Sequence, residues 1–203
     1  MLNRQLEANR NMLTAPFPGI TVAQWFSEFL GLIAEYRTLK PRRVAELGTW
    51  HGGTLWHLLN NAMDGADVIS VDMGPTNWRP AKPDFDVSQW YAWAPGKVKL
   101  HIIQEDTHDP ATLAKVEAIC PELDFLFIDG DHSYEGAKRD FEMYGPLVRE
   151  GGIIAFHDLI TPRAQQHIQI SKLWAEIKRA GYKTLELYSH PGQEWGGIGL
   201  VYV

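Results

Sequence analysis

Cysteine is nearly missing from the 203-residue sequence. The single Cys120 excludes an intramolecular disulfide framework and a cysteine-rich zinc module. No uninterrupted apolar run approaches the ~20 residues of a membrane span. The opening Met1-Leu2-Asn3-Arg4-Gln5-Leu6-Glu7 lacks the apolar stretch of a secretory signal, so a soluble cytoplasmic protein is expected. Cationic runs are absent too: the longest is Arg42-Arg43, and 19 Lys plus Arg against 25 Asp plus Glu leave a net charge of -6. Neither a nucleic-acid backbone nor a membrane is therefore the expected partner. There is no internal repeat, low-complexity tract or linker to mark a second independent domain. What the chain does have is a 45% apolar fraction, enough for one substantial core, and an unusual complement of eight tryptophans.

Hydrophobic periodicity sets out the elements. After a turn-rich lead-in containing Pro16-Phe17-Pro18-Gly19, the residues Trp25, Phe29, Ile33 and Tyr36 recur at helical spacing. Their stripe predicts a helix over 21–39, capped by Thr21 and stopped before Pro41, so that 1–40 forms a helical extension packed on a domain spanning 41–203. Strands are expected at 44–47, 68–71, 98–103, 125–128 and 153–156, separated by helices at 53–63, 109–119 and 135–148, the last interrupted or ended near Pro146. A further helix at 165–180 precedes two last strands at 182–188 and 198–203. Alternating strand and helix imply an α/β fold: one Rossmann-like, doubly wound sheet of seven strands with helices on both faces. The last two strands are too close in sequence for a parallel crossover, so they should pair antiparallel and leave one reversed strand. Residues 74–97 interrupt the pattern with four prolines and the aromatics Trp78, Phe85, Trp90, Tyr91 and Trp93. Two uses suit such a segment, a lid over an acceptor and a packed satellite or subunit contact.

Chemistry-bearing residues gather where these strands end. Glu46-Leu47-Gly48-Thr49-Trp50-His51-Gly52-Gly53-Thr54 closes the first strand and opens a helix, the edge at which open α/β sheets bind ligands. The glycines let backbone approach a ligand, and unpaired N–H groups at the helix start favour a carboxylate or phosphate. The spacing is Glu-x-Gly-x-x-x-Gly rather than the Gly-x-Gly-x-x-Gly of dinucleotide binders. Its acid would repel a pyrophosphate and welcome an amino group, so a ligand with both an α-amino and an α-carboxyl group suits the loop. Asp72, followed by Met73, is placed at the second strand's end for both hydroxyls of a ribose. Asp106, followed by Thr107, is placed after the third strand for an adenine amino group.

These residues carry a resemblance. Residues 44–158 resemble class I S-adenosylmethionine-dependent methyltransferases in the glycine loop, in Val71-Asp72 and in Glu105-Asp106. More narrowly, Phe127-Ile128-Asp129-Gly130-Asp131-His132-Ser133-Tyr134-Glu135-Gly136 and Gly151-Gly152-Ile153-Ile154-Ala155-Phe156-His157-Asp158 look like the group that includes cephalosporin- and macrolide-tailoring O-methyltransferases. The resemblance implies S-adenosylmethionine as cofactor, held by Glu46, Gly48, Thr49, Trp50, His51, Gly52, Gly53, Thr54, Asp72, Met73, Asp106 and Thr107. It also implies methyl transfer to a hydroxyl of a small acceptor such as a sugar, polyketide or catechol-like molecule.

Asp129, Asp131, His132, His157 and Asp158 follow the fourth and fifth strands and form a set able to hold a hard divalent ion. Position by position, the resemblance assigns a magnesium or manganese ion to Asp129, His157 and Asp158, although the related enzymes more often carry an acid at position 157. Asp131 is better suited to cap the helix that begins at Ser133. His132 is the candidate general base, because an imidazole of ordinary pKa ~6.5 can withdraw a proton from an acceptor hydroxyl. Two rivals stay open: a nicotinamide-dependent oxidoreductase, opposed by Glu46 and the wider glycine spacing, and a cofactor-binding partner protein without catalysis. A homo-oligomer is equally open.

Overall fold

The computed structural model describes residues 22–74 and 86–203. Thr21, the turn-rich lead-in and Trp78 and Phe85 of the aromatic segment lie outside the described residues. The described chain runs α1 (Phe26–Leu39), β1 (Arg43–Leu47), α2 (Gly53–Asn61), β2 (Asp67–Val71), a 3-10 turn (Val87–Trp93), β3 (Lys99–Ile103), α3 (Pro110–Ile119), β4 (Leu123–Ile128), α4 (Tyr134–Tyr144), β5 (Val148–Phe156), α5 (Ile170–Arg179), β6 (Lys183–Leu187) and β7 (Ile198–Tyr202). The strands form one seven-stranded sheet in the order β3-β2-β1-β4-β5-β7-β6. All pairings are parallel except those of β7, which runs antiparallel to both β5 and β6. The doubly wound sheet with one reversed strand is thus as expected.

Period-two alternation explains how both faces are covered. On β4, Phe125 and Phe127 point into a core shared with Phe29, Leu32 and Tyr36 of α1 and Leu55, Leu58 and Leu59 of α2. Leu126 and Ile128 point the other way, toward Tyr144 of α4, Phe156, and Leu173 and Trp174 of α5. Every residue of β4 is buried, which is why its sequence reads as a continuous apolar run. Among the described residues, no helix is long and apolar enough to cross a membrane.

Boundaries differ from the expected ones at the starts of α1, β5 and α5, and α4 ends close to Pro146. α1 starts at Phe26, several residues later than periodicity suggests, and its cap position, Trp25, makes no side-chain capping bond. α4 stops at Tyr144, and Pro146 falls in a 3-10 turn over Gly145–Leu147. β5 then begins at Val148 and runs through Gly151-Gly152, with a register shift that pairs Leu123 with Val148 but Phe125 with Ile153. Gly152 permits this irregularity, since a Cβ there would meet Val148 Cγ1 at 2.6 Å and carbonyl oxygens at 2.9 Å. α5 starts at Ile170 rather than near 165.

In the described part of the aromatic segment two tryptophans are buried, while Tyr91 is exposed. Asp86 accepts from Ser88 N at 2.8 Å to start the 3-10 turn. Trp90 and Trp93 are only 2% and 8% exposed and join the α1–α2 core.

Candidate active site

The site lies where the sheet order reverses, between the neighbouring strands β1 and β4. Gly48, at φ +84°, ends β1; a Cβ there would lie 2.3 Å from Asp129 O, so only glycine lets the two strand-end loops meet. Gly52, at φ +79°, caps α2 without a side-chain bond, and Trp90 and Trp93 press against it from below. The N–H groups that open α2 therefore have no side-chain cap there, the condition for anion binding at a helix start.

Asp72 braces this loop. Its Oδ2 accepts from Thr49 N and Trp50 N, each at 2.8 Å, and its Oδ1 accepts from Gly74 N at 2.7 Å. These bonds hold Trp50 at φ +50°, an uncommon conformation for a bulky residue, with its ring stacked on His51 at 4.0 Å. Glu46 is 1% exposed, and its Oε2 has no hydrogen-bond partner among the described residues. Burial holds its carboxyl well above the usual range; a hydrogen bond with Thr49 opposes this, and the charges of Asp129 and Asp72 reinforce it. On the far side, Asp106 Oδ1 accepts from His108 N at 2.9 Å and Thr107 O accepts from Tyr144 Oη at 2.8 Å, while Met73 is exposed.

Four groups meet above β4 and β5. His132 Nδ1 is 2.7 Å from Asp158 Oδ2, and His132 Nε2 is 3.5 Å from Asp129 Oδ1. His157 Nδ1 is 3.2 Å from Asp129 Oδ1 and 3.5 Å from Asp158 Oδ1. Local structure presents them: Ser133 caps α4 by accepting from Gly136 N, Asp131 accepts from Ser133 N, and His132 O receives Gln169 N at 2.7 Å. Asp158 sits at φ +60°, an uncommon conformation for a non-glycine residue. Burial lowers the basicity of both imidazoles, but the carboxylates outweigh it: His132 is raised, and His157 is pushed up to about 9 by Asp129 and Asp158. Asp158 is correspondingly held low; burial works against it, and the two histidines prevail.

Donor atoms of Asp129, His132 and Asp158 lie within 4.8 Å of one another, close enough to share a cation. The grouping that converges thus contains His132 where the sequence suggested His157. His157 turns its Nδ1 toward both carboxylates, while its buried Nε2 has no hydrogen-bond partner among the described residues. Asp131, as expected, is occupied at the helix start.

Two further residues reach this centre from outside the motifs. Gln24 Nε2 donates to Asp129 Oδ2 at 3.1 Å. Glu28 is fully buried on α1, accepts from Gly197 N at 3.0 Å, and adds its charge to the field at His157. The one signal for Glu28 is its place on the apolar face it shares with Leu32 and Tyr36; nothing in the sequence marks Gln24.

Comparison with known proteins gives a consistent picture. A family described as a methyltransferase domain matches residues 45–159. An uncharacterized protein of Acanthamoeba polyphaga mimivirus is 27% identical over 143 residues, covering 68% of this chain and 61% of that one. An uncharacterized protein of Sinorhizobium fredii is 24% identical over 149 residues, covering 68% of this chain and 15% of that one. The chain therefore spans less than two thirds of the length of these relatives. Among solved structures, an O-methyltransferase from Bacillus cereus in complex with SAH superposes with a TM-score of 0.63 at 18% identity, covering 98% of this chain and 88% of that one. An O-methyltransferase from Streptomyces achromogenes involved in tomaymycin synthesis, in complex with SAM, gives 0.62 at 14% identity, covering 100% and 88%. At these identities the likeness establishes the fold.

Proposed function

Because the chain belongs to the methyltransferase-domain family, we propose that it transfers a methyl group from S-adenosylmethionine to a hydroxyl oxygen of a small molecule. When bound, S-adenosylmethionine supplies an electrophilic methyl group on a sulfonium centre. The open N–H groups at the start of α2 receive its carboxylate, and the partnerless buried Oε2 of Glu46 receives its amino group. Asp72 already accepts three backbone N–H bonds, and a carboxylate offers roughly four acceptor directions. It therefore holds the loop first and a ribose hydroxyl second. Asp106 keeps an oxygen available beyond its turn for the adenine amino group, with Met73 and Thr107 beside it.

The observation that carries the reading is the His132–Asp158 contact at 2.7 Å beside that loop. Asp158 holds the Nδ1 side of the ring, so Nε2 is the atom that takes the acceptor's proton. The hydroxyl oxygen would gain the methyl as the methyl's bond to sulfur breaks, leaving the neutral thioether S-adenosylhomocysteine, while the O–H proton would pass to Nε2 of a neutral His132. Asp129 and His157 supply a fixed electrostatic frame around the reacting oxygen.

A cation offers a second use of the same residues, favoured by the convergence of Asp129, His132 and Asp158. Two carboxylates and an imidazole suit a divalent metal, which would supply Lewis-acid activation of the hydroxyl when bound. His132 cannot be ligand and base together, so the two uses exclude each other. Calorimetry should show S-adenosylhomocysteine binding and no NAD binding, and incubation with S-adenosylmethionine and a panel of catechols, sugars and polyketides should release S-adenosylhomocysteine. Turnover that survives a chelator assigns His132 as base; turnover lost to chelator and restored by Mg²⁺ or Mn²⁺ assigns the metal. NAD binding without adenosylhomocysteine binding sinks both, and binding without any turnover leaves a non-catalytic partner.

A further inference from the structure

Gln24 touches both halves of the cleft although it belongs to neither motif. Its Nε2 donates to Asp129 Oδ2 at 3.1 Å, and its Oε1 accepts from Thr54 Oγ1 at 3.4 Å. The amide orientation is fixed by chemistry, because the reverse would set a carbonyl oxygen against a carboxylate. Thr54 is in the first turn of α2, so this amide spans from the glycine loop to the acid at the end of β4. Gln24 is only 2% exposed, so water is poorly placed to replace either bond.

The backbone that carries it is anchored. Next in sequence, Trp25 packs at a tilt against Trp195 with ring centroids 4.9 Å apart and donates through Nε1 to Trp195 O at 3.3 Å. One turn on, Glu28 accepts from Gly197 N at 3.0 Å and from Ser189 N at 3.3 Å. Those contacts fasten the start of α1 to the β6–β7 connection, and that connection bonds in turn to the residues just past Asp158: Leu159 N donates to Gly197 O at 3.2 Å. Gln24 is thus held from behind while it holds Asp129 in front.

A carboxylate has two oxygens and one soft torsion. With Oδ2 taken by Gln24, Oδ1 is the oxygen directed at His157 Nδ1 and His132 Nε2. We propose that Gln24 is a positioning residue for methyl transfer, fixing which oxygen of Asp129 faces the two imidazoles and tying that carboxylate to the start of the cofactor helix. This role rests on the methyltransferase reading above, and it assigns part of the active site to the segment that precedes the matched domain.

Gln24→Met keeps length and volume but removes both polar ends. In protein labelled with 15N-histidine and held at one pH, the ring-nitrogen signals of His132 and His157 should move in this variant with S-adenosylhomocysteine bound. With catechol as acceptor, kcat should fall about tenfold, the loss of roughly one buried hydrogen bond, while KM for S-adenosylmethionine stays within about threefold. Gln24→Glu, which sets a second acceptor against Asp129, should lose more than Gln24→Met. In an Asp129→Asn background, adding Gln24→Met should change kcat little further. Parental ring signals in Gln24→Met overturn the proposal. So does a loss of turnover, cofactor affinity and melting temperature in equal step, which marks Gln24 as a packing residue. If the parent binds no S-adenosylhomocysteine, the methyltransferase reading fails instead, and the ring signals without ligand still judge Gln24. If catechol is not an acceptor, the ring signals alone decide.

Discussion

β4 carries an aspartate at each end, and the two are used in opposite ways. At the amino end, Asp124 Oδ2 accepts from Arg42 N and Arg43 N at 2.8 and 2.9 Å, while Oδ1 accepts from Arg149 Nε at 2.6 Å and Arg43 Nη2 at 3.1 Å. Burial would raise its pKa, but the two arginines and the backbone donors hold it below the usual range. At the carboxyl end, Asp129 meets one amide and two imidazoles whose basicity the neighbouring carboxylates raise. The first arrangement uses every acceptor direction and joins the starts of β1, β4 and β5. The second keeps groups that can give and take protons, beside a loop with an unpaired buried carboxyl oxygen on Glu46. One end of the sheet is saturated for stability; the other is left unsaturated, as chemistry requires.

Exchanging the two fates is the strongest way to break that contrast. Asp124→Ala strands two arginines and two backbone N–H groups, and should cost about 3–5 kcal/mol of stability, as breaking a buried ion pair does. Protein still folded in the cold should bind S-adenosylhomocysteine normally. Asp129→Asn should do the reverse, lowering turnover by roughly 10²–10⁴ through misplacement of the base while costing less than about 1.5 kcal/mol. Thermal unfolding and S-adenosylhomocysteine release, measured on both variants, test it. Equal stability losses for the two would erase the distinction.

Asp140, on α4, tests whether under-partnered acids really gather at the carboxyl end. It is completely buried, neither oxygen has a well-formed hydrogen bond among the described residues, and His108 Nε2 stands 3.4 Å away. Burial pushes its carboxyl up to about 6; Thr107 and His108 oppose the shift, and Asp131 and Asp106 add to it. An acid whose folded pKa lies above its unfolded value of ~3.9 favours the folded state while protonated, so it withdraws stability as pH rises from about 4 to 6. Above that window the penalty is constant, with a ceiling of about 3 kcal/mol. Asp140→Asn should therefore stabilise the protein by about 1–2 kcal/mol near neutral pH and flatten its stability between about pH 4 and 6. Unfolding curves across that range give the answer, and a variant less stable at neutral pH would show that Asp140 has partners that satisfy it.

The contrast between the two ends was only half legible in the sequence. Strand alternation predicted the doubly wound sheet and its reversed strand, and the strand-end rule drew attention to Asp72, Asp129, His132 and Asp158. It could not see that Asp72 spends three acceptor directions on backbone, because that depends on how the loop after β1 folds back toward β2. It also grouped His157 with Asp129 and Asp158, whereas the donor atoms that lie within 4.8 Å of one another include those of His132, a matter of side-chain direction that strand ends alone do not fix. Gln24 and Asp124 were invisible for a related reason: each acts through partners distant in sequence, across 105 residues for Gln24 and Asp129 and 82 for Arg42 and Asp124. The packing of Trp90 and Trp93 under Gly52 was likewise undecidable, as aromatic content alone fits a lid and a core equally.

The smallest effect should come from the exposed arm of the amino-end network. Arg43 Nη1 meets Glu122 Oε2 at 2.6 Å, but the Glu122 side chain is 52% exposed. The same guanidinium reaches Asp124, whose side chain is 7% exposed, at 3.1 Å. A short distance does not make the outer pair valuable, because water screens it and both long side chains lose freedom by forming it. Glu122→Gln should cost less than about 1 kcal/mol, and added salt should shrink even that difference. Turnover and cofactor binding should not change, since the residue lies at the opposite end of the sheet from the glycine loop. A loss above about 2 kcal/mol would mean that Glu122 orders Arg43 for Asp124. The saturated end would then act as one network, with its stability resting on the surface as well as on the buried acid.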